Sequence, residues 1–308
     1  MSAVTQLSDE QADQPAGQPT DAPAPEPSNR RGRTGYLLLM PGTVWLLVFF
    51  LVPLITLVST SLYDPAGTLE TGYRLTWAFG NYVDAVGDNA TEFGRSLLYG
   101  GLATLFALLL GYPLAYAIAF KAGRWKSLML VLVIAPFFTS FLIRTLSWKM
   151  LLSDQGLIVD ALQFLHILGP DGRLLATAPA VVLGLTYNFL PFMVLPLFAS
   201  LDKIDVRLIE AAGDLYAGPF QAFRRVTLPL SMPGVVAGTL LTFIPAAGDY
   251  INVELLGTPQ QTMIGNRIQS LFGSGSYPAA AALSVTLMVL ILAMVLVYIR
   301  RSGTEELL

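Results

Sequence analysis

The chain has 308 residues, of which 54% are hydrophobic and 13% charged, with a formal net charge of -3. Soluble domains carry about 25% charged residues, so a water-facing globular surface is excluded and an integral membrane protein is the economical reading. There is no cysteine, which excludes disulfides, thiolate catalysis and thiolate zinc sites, and the lone His166 sits in no metal-ligand spacing.

Residues 1–33 read as a separate N-terminal tail on the inner side. Between 8 and 28 the chain mixes Asp, Glu, Gln, Ala, Pro and Ser with almost no large apolar side chains, so it cannot offset its own chain entropy and is expected to be disordered. Arg30, Arg31 and Arg33 follow. The next apolar run is too long for a signal peptide and reads as a retained membrane helix.

Six segments are long and apolar enough to cross a bilayer, at about 36–62, 96–120, 127–150, 178–200, 230–252 and 279–299. Pro41, Pro53, Pro113, Pro136, Pro191, Pro196 and Pro245 fall inside them and predict kinks. The permease domain is thus expected over 34–302, with a short tail at 303–308. Arg30, Arg31, Arg33, Lys121, Arg124, Lys126, Lys203, Arg207, Arg224, Arg225, Arg300 and Arg301 lie on one side of these spans. The other side holds Arg74, Arg95, Arg173 and Arg267. The positive-inside rule then places both termini in the cytoplasm. The first outward loop is acidic, with Asp64, Glu70, Asp84, Asp88 and Glu92, and reads either as a solvated loop or as a landing surface for a partner.

The inward loop at about 203–228 is the most patterned polar stretch. Leu208, Ala211, Ala212 and Leu215 recur at helical spacing, with Asp205, Arg207 and Asp214 among them. Glu210 offers a charge for a cap or an ion pair, and the small Ala211 and Ala212 permit close approach by another surface. Gly218-Pro219 reads as a turn, with Pro219 starting a second short helix striped by Phe220, Phe223 and Val226.

With Glu210-Ala211-Ala212 and Val226-Thr227-Leu228-Pro229, the loop resembles the EAA signature of transmembrane subunits of binding-protein-dependent ABC importers. That pattern expects Gly four residues after the second Ala, where this chain has Tyr216, so the turn is expected at Gly218-Pro219 instead. Tyr187-Asn188-Phe189-Leu190-Pro191, Phe243-Ile244-Pro245-Ala246-Ala247-Gly248-Asp249-Tyr250, Glu254-Leu255-Leu256-Gly257 and Met263-Ile264-Gly265-Asn266 further resemble the spermidine/putrescine permeases, the first of their two permease subunits in particular. Pro136, Ser140, Ile143-Arg144 and Trp148 fit the same pattern.

The resemblance implies an all-α, six-span fold of the type I ABC importer permease kind. It implies a heterodimer with a second permease subunit, two ATP-binding subunits and an extracytoplasmic substrate-binding protein. No GxxxxGK[ST] loop occurs here, so ATP belongs to the partners and no cofactor is expected on this chain. The coupling residues would be Glu210, Ala211, Ala212, Asp214, Tyr216 and Gly218. No metal, catalytic residue or nucleic-acid partner is expected.

For cargo, a carboxylate within a span is costly and faces a cavity or a partner, which singles out Asp249. Tyr250, Tyr187 and Trp148 offer aromatic faces to a polycation, Asn188 a neutral acceptor, and Glu254 a place at the outer mouth. The competing readings are that Asp249 pairs with Arg144, that the tyrosines are bundle packing, and that Arg144 and Lys149 reach for the outer interface. Rival functions are a permease for another solute such as a phosphonate, iron complex or opine, a passive channel, and an intramembrane enzyme. The last lacks a Ser-His pair, HExxH or paired aspartates.

Overall fold

The computed structural model describes residues 30–67, 70–169 and 171–301, with side chains in the first helix from Leu38 onward. Most of the expected N-terminal tail and all of the tail at 303–308 lie outside the described residues. The described residues are helical apart from turns, loops and a lone antiparallel bridge between Tyr63 and Leu75.

The chain divides into two units at Pro53. In residues 1–53, helix α1 (Arg30–Ser61) begins. It starts at Arg30 rather than at 36, so the arginines assigned to the tail belong to the helix. From Leu38 to Pro53 every side chain is exposed, and Trp45 stacks on Phe49 with ring centroids 4.1 Å apart. A helix apolar all round and exposed all round suits lipid rather than water.

The second unit, residues 54–308, holds the remaining helices. Its centre is three helices: α3 (Ala90–Phe120), α7 (Ala178–Leu201) and α11 (Met232–Ala247). Around them stand α2 (Gly80–Asp88), α4 (Lys126–Ile134), α5 (Phe141–Leu151) and α6 (Leu157–Phe164). They are completed by α8 (Val206–Asp214), α9 (Pro219–Ala222), α10 (Leu228–Leu230), α12 (Ile251–Leu256), α13 (Ile264–Gly273) and α14 (Tyr277–Arg301).

The three central helices meet through small residues, because lipid supplies no hydrophobic drive between helices and close backbone contact must replace it. A Cβ on Gly234 of α11 would lie 2.8 Å from the Pro196 carbonyl of α7, and one on Gly238 would lie 3.0 Å from that of Met193. One apolar cluster gathers Ala107, Ile118, Met193, Leu197, Leu201 and Val235. Another gathers Tyr99, Ala103, Leu185, Phe189, Leu256 and Met263. A third, around Phe93, Ile264 and Leu283, joins α3, α13 and α14.

Among the described residues, four helices are long and apolar enough to span a bilayer: Leu38–Ser61, Ala90–Phe120, Ala178–Leu201 and Tyr277–Arg301. The count reaches six if each of two bent pairs is one span. The expected span 127–150 breaks at Thr139-Ser140 with a 94° bend, and Pro219–Leu230 meets Met232–Ala247 at 64°. The expected span 230–252 also ends early, at Ala247. The outward stretches read as loops contain α2, α6, α12 and α13.

At the first break the Pro136 carbonyl accepts from the Thr139 amide at 3.1 Å and from Thr139 Oγ1 and Arg144 Nη1, both at 2.7 Å. This is how irregular backbone is tolerated among apolar helices. Outside the spans, Asp154 and Arg173 pair across a loop, and the guanidinium hydrogen bonds hold the Asp154 carboxyl below its usual range.

Candidate functional site: a coupling loop and a buried polar chain

Helix α8 is capped by Asp205, whose carboxylate accepts from the Arg207 amide at 3.0 Å. At its other end Tyr216 has φ 62°, in the left-handed region. The Ala217 amide bonds the Ala212 carbonyl at 3.0 Å and the Tyr216 amide bonds that of Gly213 at 2.9 Å. These two bonds form a Schellman C-cap with Tyr216 in the position normally filled by Gly. The expected shift of the turn to Gly218-Pro219 is therefore corrected. Tyr216 turns the chain, whereas Gly218 is extended, with φ -65° and ψ 161°, and caps α9. Pro219 opens α9 as expected.

The loop's outer surface is mixed. Glu210, Ala211 and Asp214 are exposed, and Ala212 is half-buried. Leu215, Tyr216 and Phe220 are exposed apolar residues, with Tyr216 98% accessible. The inner side is anchored. After α9 a π-helical turn, Phe223–Thr227, carries Phe223 onto the Tyr112 and Tyr116 rings of α3, with centroids 5.6 and 6.3 Å away. Tyr112 Oη and Ser231 Oγ share a hydrogen bond of 2.7 Å. A displacement of the loop therefore reaches α3 through packed rings and α11 through Ser231, at its N-cap.

At the other end of α11 the chain breaks at Gly248-Asp249-Tyr250. Asp249 Oδ1 accepts from the Asn252 amide at 2.8 Å and from Asn252 Nδ2 at 3.1 Å. The carboxylate thus caps α12. Asn252 Oδ1 in turn accepts from Asn188 Nδ2 at 2.9 Å, and the same nitrogen donates to Thr145 Oγ1 at 3.1 Å. The result is a continuous polar chain, Thr145–Asn188–Asn252–Asp249, through α5, α7 and α12. Thr145 and Asn252 are fully buried, and Asn188 nearly so. Gly184 makes room for it, since a Cβ there would lie 2.8 Å from Asn252 Oδ1. Asn188 Oδ1 is buried without a partner.

Of the residues expected along a substrate path, Asn188 and Asp249 are thus joined, through Asn252, which sequence reasoning missed. Its only signal was its place three residues after Asp249. Tyr250 is partly exposed and its carbonyl accepts from Asn266 Nδ2 at 2.8 Å. Gly265 lies directly under the break, where a Cβ would collide with the Gly248 carbonyl. Glu254 is exposed.

Tyr187 faces elsewhere. It packs edge-on against Trp148 at 5.1 Å and lines an open apolar groove of about 860 Å³ with Tyr99, Phe106, Leu110 and Leu183. That groove has almost no polar lining and does not suit a polycation. Arg144 does not pair with Asp249. Its guanidinium lies over the Phe137 and Phe141 rings, 5.0 and 5.7 Å from their centroids. It is buried rather than reaching for an outer interface.

A bundle of long apolar helices with two bent pairs is the architecture of a membrane-embedded subunit. Residues 29–301 match the family described as binding-protein-dependent transport system inner membrane component, and the chain belongs to that family. It is 38% identical over 258 residues to the spermidine/putrescine transport system permease protein PotB of Haemophilus influenzae, covering 83% of this chain and 90% of the relative. With PotB of Escherichia coli strain K12 it shares 37% over 262 residues, or 84% and 94% of the two chains. The inner membrane ABC transporter permease protein YdcU of the same strain is 34% identical over 228 residues, covering 69% and 71%. Among solved structures, a bacterial ABC transporter involved in import of the acidic polysaccharide alginate shares the fold. Its TM-score is 0.69 at 22% identity, over 90% of this chain and 97% of that one. The chain is therefore an inner-membrane transport subunit.

Proposed function

We propose that this subunit forms half of the pathway of an ATP-driven polyamine importer. The observation that carries the substrate is the 37–38% identity to two spermidine/putrescine permeases over more than four-fifths of every chain involved. Asp249 and Asn188 supply the carboxylate and the neutral acceptor that ammonium groups need, with Tyr250 and Glu254 nearer the mouth. Tyr187, on the apolar groove, belongs to packing in this reading.

The partners are a second permease subunit, two ATP-binding subunits and an extracytoplasmic binding protein. The distribution of Lys and Arg supports cytoplasmic termini and a cytoplasmic Glu210 loop. In that orientation the exposed face of α8, with Glu210, Ala211 and Asp214, docks on an ATPase, and Tyr216 and Leu215 contribute apolar contact. ATP, held by the partners, closes the ATPase pair. The closure selects one state of the bundle because the partner binds that state better. No cofactor is assigned to this chain.

The substrate is tested by thermal shift of the cognate binding protein with putrescine, spermidine and a phosphonate. Stabilisation by the polyamines is expected. Stabilisation by the phosphonate alone overturns the polyamine assignment and leaves the importer class standing.

A further inference from the structure

The unit from 54 to 308 holds a buried guanidinium and a half-buried carboxylate that do not pair with each other. Arg144 is 9% exposed, donates one N–H to the Pro136 carbonyl, and has an Nε with no partner. Asp249 receives hydrogen bonds only from Asn252. The ion pairs among the described residues, Lys126–Asp202 and Arg173–Asp154, involve neither. A buried guanidinium facing only rings and a carbonyl is under-compensated in an apolar medium, and the half-buried carboxylate, held by Asn252, has no cation of its own among the described residues.

The two are not remote in the fold. Helix α5, carrying Arg144, packs against α12, which Asp249 caps. The next residue on α5, Thr145, is joined to Asp249 by Asn188 and Asn252 alone. The other charged side chains on these two helices, Lys149 and Glu254, are exposed. Arg144 also sits beside a 94° break, where small rotations of α5 are cheap compared with bending a continuous helix.

We infer that Arg144 is the internal counter-ion of Asp249 in the alternate state of the transport cycle. In the state described here Asn252, itself held by Asn188, binds the carboxylate, which stays unpaired and part-exposed to a cationic cargo group. Rotation of α5 against α12 brings the guanidinium onto Asp249, and the pair displaces the cargo ammonium. Arg144 is thus a positioning residue for release. The inference deepens the proposed cation path and rests on that reading for the identity of the cargo, but the pairing itself does not depend on which solute is carried.

The test uses the whole complex with its partner subunits. Arg144→Gln is expected to lower kcat roughly tenfold while KM falls or holds, because release and not capture is slowed. Arg144→Lys, which keeps the charge, is expected to restore most of kcat. Equal loss in both variants overturns the inference in favour of a brace at Pro136, and an unchanged kcat in Arg144→Gln overturns it outright. A second measurement is independent of cargo. Because the chain has no cysteine, Ile143→Cys with Gly248→Cys, at positions next to Arg144 and Asp249 that leave both charges in place, is a clean pair for a short bis-thiol cross-linker. Cross-linking that differs between the nucleotide-free complex and the ATP–vanadate complex supports the inference. Equal yields in the two states overturn it. A phosphonate-specific complex showing the same difference would sink the polyamine reading and keep the pairing.

Discussion

The Ala217 amide bonds the Ala212 carbonyl at 3.0 Å around a Tyr216 held at φ 62°. An L-residue in that conformation costs about 1–2 kcal/mol, offset here by the two Schellman hydrogen bonds and not by burial of the ring, which is exposed. In the proposed docking, the exposed Tyr216 ring would meet a partner surface.

Tyr216→Gly separates the two contributions. The isolated subunit is expected to gain about 1 kcal/mol, since Gly takes this conformation freely and the lost ring is exposed. Thermal unfolding of the detergent-solubilised chain reads this gain. Co-purification with the ATP-binding subunits is expected to weaken, and stronger co-purification contradicts a docking role for the ring.

Asn252→Ala removes the central member of the polar chain. It leaves Asp249 one amide donor and Asn188 no acceptor on that side. A loss of about 1–3 kcal/mol is expected, as for other orphaned buried polar groups, and Asn252→Asp is expected to be worse because it sets a second carboxylate beside Asp249. Chemical denaturation compares the two, and a neutral Asn252→Ala would show the chain to be incidental.

Asp249→Asn keeps an oxygen acceptor for the α12 cap and deletes the charge. Stability is expected to stay within about 0.5 kcal/mol, while polyamine uptake at limiting substrate falls at least about tenfold. Retained uptake with intact folding would make Asp249 a helix cap and nothing more.

Gly234→Ala places a methyl 2.8 Å from the Pro196 carbonyl. Backbone cannot move aside as a flexible side chain does, so a destabilisation of about 1–3 kcal/mol is expected, read as a lower midpoint of thermal unfolding. Gly213→Ala, where a Cβ meets open space, serves as the control and is expected to be neutral or slightly stabilising.

The spans were legible because mean hydropathy over 20 residues is a strong signal, and the loop because Glu210-Ala211-Ala212 and Leu228-Pro229 recur in a fixed arrangement. The breaks were not. Residues 127–150 are apolar on either side of Thr139-Ser140, and the Pro136 carbonyl there accepts from Arg144, eight residues on. Asp249 was found by its charge, but its neighbours were misjudged. Tyr187 and Asn188 are adjacent in sequence and face a groove and a polar chain respectively, a division that α3, α5 and α12 impose. Tyr216 was read as moving the turn, because a Tyr is a poor left-handed residue. Two backbone hydrogen bonds hold it there regardless.

In the proposed mechanism the Glu210 loop couples an ATPase to polyamine entry. The direct measurement is uptake of labelled spermidine into proteoliposomes holding the complete complex and its binding protein, with ATP or a non-hydrolysable analogue, in wild type and in Glu210→Arg. Uptake that requires ATP hydrolysis and is lost in Glu210→Arg, with the subunit still folded, is the predicted result. Uptake that continues without hydrolysis, or is unchanged in Glu210→Arg, would contradict it.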